Sequence, residues 1–259
     1  MSVLFMLAVI LFILMVSVGG GKGARSFISL FLNFTVIVIT VIFMASPDLD
    51  PIILTLIACI IISMINLFFI NEVNSKTVTA FISTLITIAI LFFFIYFITK
   101  KVQIQGFGEE EIEEIRIFSL YIGIDFIKVS SAVIVMSTIG AITDVAISIA
   151  SPMKEIAMHN PNMGTKALFT SGMTIGRDIL GSNTNTLFFA FIGGYMALLI
   201  WFKDLSYSFG EVVNSKIFSA EMIMILFAGI GIALIIPITA WINAWYLVRQ
   251  RSQRQKKLE

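Results

Sequence analysis

"VTAFISTLITIAILFFFIYFIT", Val78 to Thr99, holds no charged residue in 22 positions, and its reading decides the fold. Coiled as a helix at about 1.5 Å per residue, it matches the roughly 30 Å hydrocarbon core of a bilayer. Three charge-free runs precede it: Val3–Val18, Phe27–Ala45 and Ile52–Ile70. The links "GGGKGARS", "SPDLDP" and "NEVNSK" carry the glycine, proline and asparagine of ordinary turns. The rest of the 259-residue chain agrees, with 58% hydrophobic residues, 24 Phe, 13% charged residues and a mean hydropathy of +1.01. A soluble chain of this size needs a charged exterior. The fold class is therefore all-α, a polytopic helical bundle whose first partner is the lipid bilayer.

Two segments of the second half are too long for one straight crossing. Ile117–Ala150 has 34 residues and Thr165–Phe202 has 38. At about 1.5 Å per residue each would exceed about 50 Å, so broken, re-entrant or tilted helices are expected there. Ser151-Pro152 is expected to open a short interfacial helix, with proline at its first helical position. The last run, Met222–Val248, contains Pro237. This gives about seven crossings, or eight if a long segment divides. Cations sort ten inside against five outside when the N-terminus is outside and the C-terminus cytoplasmic. The N-terminus lacks a basic region and an A-x-A site, so it reads as a retained span. Four parts follow: the charge-free spans (1–99), an acidic outer connector and interfacial lead-in (100–116), a membrane core with a polar motif (117–248), and a basic tail (249–259).

Charges at membrane depth are confined to Asp125, Lys128, Asp144, Arg177 and Asp178. Each costs about 2.5–3.5 kcal/mol at a helix centre on insertion scales unless paired or hydrated. Asp125 and Lys128, three apart, are expected to pair on one helix face. Asp144 joins Ser130, Ser137, Ala141, Ser148 and Ser151 in a helical stripe of small and polar residues, with Gly140 as a supporting motif position. Thr174, Asp178, Gly181 and Asn185 share a second face, with Gly172 and Gly176 permitting close backbone approach. Arg177 carries donors that lipid cannot satisfy, and Asp144 is its expected partner. The motifs "STIGAITD" and "MTIGRD" share Thr-Ile-Gly before an aspartate, a faint internal symmetry of the kind some transporters use.

Other chemistries are excluded or weak. "GGGKGARS" lacks phosphate-loop spacing. One cysteine, Cys59, and one histidine, His159, leave no intrachain disulfide and no Cys- or multi-His metal site. No cofactor is expected, and no basic patch with interleaved aromatics points to nucleic acid. The acidic run Glu109–Glu114 reads as the solvated side of an amphipathic helix.

The blocks "GAITDVAISIASPMKEI" (Gly140–Ile156), Asn160-Pro161, "SGMTIGRDILGSNTNTL" (Ser171–Leu187) and "FIGG" (Phe191–Gly194) resemble the YibE/F family of bacterial multipass membrane proteins. Only "GGGKGARS" stands where many members insert a sizeable segment, which is similar to the shorter member of the YibE and YibF pair. The resemblance implies a bacterial plasma-membrane location and a second YibE/F-like protein, or a homo-oligomer, as partner. It supplies no activity. Its motif positions are Asp144, Ser151, Pro152, Asn160, Pro161, Gly176, Arg177, Asp178, Asn185 and Thr186.

Three functions compete on these residues. A permease or export component would use Asp144, Arg177 and Asp178 as a buried polar centre, with Asn183, Thr184 and Asn185 as uncharged ligands for a small solute, ion or peptide. A scaffold or regulator would use the same block to recognise a partner. An intramembrane hydrolase would pair Asp144 with Asp178, but Arg177 should hold that second carboxylate ionised. The expectation is the permease, not an enzyme.

Overall fold

The computed structural model describes residues 3–46, 48–102 and 125–255, and every regular element among them is helical. The expected acidic connector lies largely outside the described residues.

The first element, α1 (Val3–Met44), is two helical arms that turn back on each other at Gly20, where φ is 56° and ψ is −135°. Side chains other than glycine rarely adopt that backbone. The rings of Phe12 and Phe27 lie 5.0 Å apart, whereas fifteen residues of straight helix would separate them by about 22 Å. At Gly23 a Cβ would stand 1.8 Å from the Met15 carbonyl oxygen, so only hydrogen fits at the crossing. The turn falls in "GGGKGARS", as the sequence predicts.

Asp50 caps α2 (Pro51–Met64) by accepting the Ile52 N–H at 2.9 Å, with Pro51 at the first helical position. The helix then loosens into a π turn, Ile65–Phe69, where Asn66 accepts a 2.7 Å hydrogen bond from Asn33 of α1. Next come α3 (Ser75–Val102), α4 (Phe126–His159), α5 (Thr165–Gly194), α6 (Met196–Asp204), α7 (Phe209–Asn214) and α8 (Lys216–Gln255). Among the described residues, five helices are long and apolar enough to cross a membrane, or six if the bent pair α5–α6 is one span. That supports a multipass helical membrane protein; the seven or eight crossings of the sequence are a finer count than helix length and hydropathy yield.

The core is built where α3, α4 and α8 meet, around Leu91, Ile142, Ile149, Met153, Ile232 and Ile235. α2 flanks α4, and α5 packs chiefly along α8. The buried face of α3 is rich in hydroxyls, with Thr77, Thr79, Ser83, Thr84 and Thr87 inside and Phe93, Phe94 and Phe97 outside. Lipid is as apolar as a core, so small residues that let backbones approach go inward and large apolar ones face out. Cys59 is buried as a small hydrophobe, as expected.

Two local expectations are corrected. No interfacial helix opens at Ser151-Pro152, because α4 runs through Pro152 to His159. Neighbouring helices stabilise a proline inside a packed span. Lys128 does not pair with Asp125. It reaches Asp50, the residue that caps α2, Nζ to Oδ2 at 2.5 Å, while Asp125 caps α4 by accepting the Ile127 and Lys128 N–H groups.

Candidate functional site

Asp144 lies on α4 and Arg177 and Asp178 lie on α5, close to the midpoints of Phe126–His159 and Thr165–Gly194. The five-residue link Asn160–Gly164 joins the two helices. Counted from that link at about 1.5 Å per residue, Arg177, Asp178 and Asp144 stand roughly 18, 20 and 22 Å along their helices, nearly one depth.

The faces are those the sequence predicts, but they point outward. Asp144, Ser137 and Ser148 are exposed along one edge of α4, with Gly140, Ser151 and Pro152 half-buried. On α5, Thr174, Arg177, Asp178, Gly181, Asn185 and Thr186 are exposed, whereas Asn183 and Thr184 are half-buried. The opposite side of α5 is the packed one. There a Cβ on Gly172 would approach Met153 Sδ to 2.6 Å, and one on Gly176 would approach Ile236 Cγ2 to 2.2 Å. Packing against α4 and α8 therefore fixes the rotation of α5 and turns the charged residues away from the bundle.

The enclosed Asp144–Arg177 pair expected from the sequence is not formed. The ion pairs among the described residues are Arg25–Glu72 and Lys128–Asp50. The hydroxyls of Thr170, Thr174 and Thr186 donate back to carbonyls of their own helix. Asp144, Arg177, Asp178 and Asn185 have no side-chain hydrogen bond among the described residues. Charges midway along an apolar span would need partners, and the described helices do not supply them.

The YibE/F-like protein family matches residues 7–249. The chain belongs to that family. No curated protein and no solved structure matches it. In this YibE/F-like chain the match covers both halves, so the first four apolar runs belong to the family as much as the polar block does.

Asn160 and Pro161 sit apart from the mid-depth charges, at the link end. Their carbonyls accept hydrogen bonds from Arg251 Nη1 at 3.3 and 3.1 Å, and the Met163 carbonyl accepts at 3.4 Å. Arg251 Nη2 also donates to the Ala157 carbonyl. A recess of about 290 Å³ beside them is lined by Lys154, Gln250 and Arg251 among others.

The sequence reading missed a buried polar tie. Thr79 of α3 donates to Asn243 Oδ1 at 3.1 Å, and Asn243 Nδ2 donates to the Ala150 carbonyl of α4 at 3.1 Å. Lys76 Nζ donates to Ser151 Oγ at 3.0 Å nearby. The available signal was the repeat of Thr and Ser at 77, 79, 83, 84 and 87, one face of an apolar helix, facing a lone asparagine in the last span.

Proposed function

We propose that this YibE/F-like protein is a subunit of a permease or export assembly for a small solute, ion or peptide. The polar path runs along the outward faces of α4 and α5. The observation that carries the reading is the placement of Asp144, Arg177 and Asp178 at nearly one depth, mid-helix, on faces that lipid cannot solvate. Asp144 is the carboxylate that binds a proton or cation during transport, with Asn183, Thr184 and Asn185 as uncharged ligands beside it. The path lies outside this chain's own bundle, so a second protein surface completes it.

A plasma-membrane location with the N-terminus outside and the C-terminus cytoplasmic accompanies this reading. Ten cations against five favour it. Counting the two arms of α1 as separate crossings and α5–α6 as one bent span gives seven, the odd number that this orientation needs.

The test is flux. Purified protein is reconstituted into liposomes that hold a pH-sensitive dye, and proton and sodium gradients are imposed in turn. A flux that Asp144→Asn abolishes supports the permease. Equal permeability of wild-type, D144N and protein-free vesicles to both ions overturns the proton- or sodium-coupled form. The outward placement of the charged face favours one second reading, a scaffold or regulator that uses that face only to bind. It predicts that null flux together with retained partner binding. No enzymatic role is proposed.

A further inference from the structure

Arg177 and Asp178 are neighbours in sequence yet do not satisfy each other. Successive side chains on a helix diverge by about 100°, and no ion pair joins these two. Both are exposed at the middle of α5, where an unpaired guanidinium is expensive.

The same face carries a second unexplained feature. A Cβ on Gly181, one turn beyond Arg177, would meet nothing within 4 Å, whereas Cβ atoms on Gly172 and Gly176 would collide with Met153 and Ile236. Gly172 serves the contact with α4 and α8, and Gly176 the contact with α8. Gly181 serves no contact among the described residues, although an alanine there would make the better helix. A glycine spared from intramolecular packing on a polar, mid-depth face fits the close approach of another helix.

The arrangement of charges identifies which helix. A two-fold axis along the membrane normal carries every atom to the same depth in a second copy. Arg177 and Asp178 differ in height by about 1.5 Å, so Arg177 of one copy meets Asp178 of the other at matching depth, twice over. A plus and a minus side by side form a self-complementary patch. A partner that lacked both signs at this depth would leave one of the two charges unmatched. We infer that two copies of this chain pair through the exposed face of α5, with Arg177 of each reaching Asp178 of the other and Gly181 at the closest approach.

The inference rests on the reading of the polar face given above and extends it. Reciprocal pairing neutralises Arg177 and Asp178 and leaves Asp144, one carboxylate per copy, as the unmatched group that can take a cation or proton. It explains why a charged centre looks open in a single chain.

The experiment uses the full chain in lipid nanodiscs and proteoliposomes. In a Cys59→Ser background, Gly181→Cys should form an intermolecular disulfide on mild oxidation, and Phe93→Cys on the outer face of α3 should not. Förster transfer between labelled copies should fall on the order of tenfold or more for Arg177→Asp alone and for Asp178→Arg alone, because each juxtaposes like charges. The exchange R177D/D178R should restore it. Mixing the R177D and D178R chains should also restore transfer between them, which guards against a variant that merely misfolds. Absence of the Gly181 cross-link, or failure of both the exchange and the mixture to restore transfer, overturns the inference. Binding of a different membrane protein to this face in place of a second copy overturns it as well. Dimers without Asp144-dependent flux sink the permease and leave the pairing intact; flux from cross-link-negative monomers does the reverse.

Discussion

The Thr79 hydroxyl of α3 meets the side-chain oxygen of Asn243 on α8 at 3.1 Å, and through Asn243 it is tied to the Ala150 carbonyl of α4. The three helices that make the core are thus joined at one fully buried amide. Asn243→Ala removes two interhelical hydrogen bonds and leaves a void, and should destabilise the protein by about 1–3 kcal/mol. Asn243→Asp should cost more, because it replaces a donor with an acceptor facing the Ala150 carbonyl. Equilibrium unfolding in mixed detergent micelles measures both.

Gly176 and Gly181, five residues apart on α5, should respond in opposite ways. Gly176→Ala places a methyl about where Ile236 Cγ2 already sits, 2.2 Å from its Cβ position, and overpacking of this kind typically costs about 1–3 kcal/mol. Trimming the neighbour in G176A/I236A should recover part of the loss. Gly181→Ala meets open space in the single chain and should leave monomer stability unchanged or raise it by up to about 1 kcal/mol. Thermal melts of the three variants and wild type at high detergent-to-protein ratio, where copies separate, check the contrast.

Helical class and membrane residence were legible because a charge-free run of bilayer length has few other readings. Which side of each helix faces in was not. In a soluble helix the apolar stripe marks the core, but here Phe93 and Leu91 are equally apolar and only Leu91 is buried. The small hydroxyl residues of α3 marked the buried face. The same ambiguity misplaced the polar centre. The grouping of Thr174, Asp178, Gly181 and Asn185 on one face held, whereas the inward direction assumed for charges did not, because Gly172 and Gly176 commit the other face of α5 to α4 and α8. Pro152 misled for a related reason: a proline that ends an isolated helix is tolerated when flanking helices hold both sides of it.

The Asp50–Lys128 bridge gives a pH dependence of known sign. The Lys128 ammonium, hydrogen-bonded to the Asp50 carboxylate at 2.5 Å, holds that carboxyl below its usual range against a smaller opposing effect of burial. A carboxyl lowered on folding stabilises above its unfolded value, near about 4, and loses that contribution as pH falls through the folded value. Both side chains are about one-third exposed, so the effect is modest and screened by salt. Stability should decline below about pH 4 in wild type, and Lys128→Met should flatten that part of the curve. An unchanged slope in the variant would show that other carboxylates govern the acid limb.

Arg251 closes the link between the two helices that carry the charges. α4 ends at His159, and its last carbonyls have no helical donors of their own. Arg251, on the final helix, supplies one of them from outside, donating to the Ala157 carbonyl, and its guanidinium also donates to the Asn160, Pro161 and Met163 carbonyls of the link. A cation at a helix C-terminus also opposes the helix dipole favourably. Lysine keeps the charge but not the planar fork that spans several carbonyls at once. Arg251→Lys should therefore preserve most of the electrostatic effect and lose the geometry, while Arg251→Ala loses both. Hydrogen exchange of the Met163 and Leu168 amides, which bond to Asn160 and Gly164 carbonyls, should speed up on the order of tenfold or more in Arg251→Ala, and less in Arg251→Lys. Amides near Ile142 at mid-depth should be unaffected, because the core of α3, α4 and α8 holds them independently of the link. Uniform loss of protection along α4 would instead mean that Arg251 supports the whole helix, and its role would be global packing.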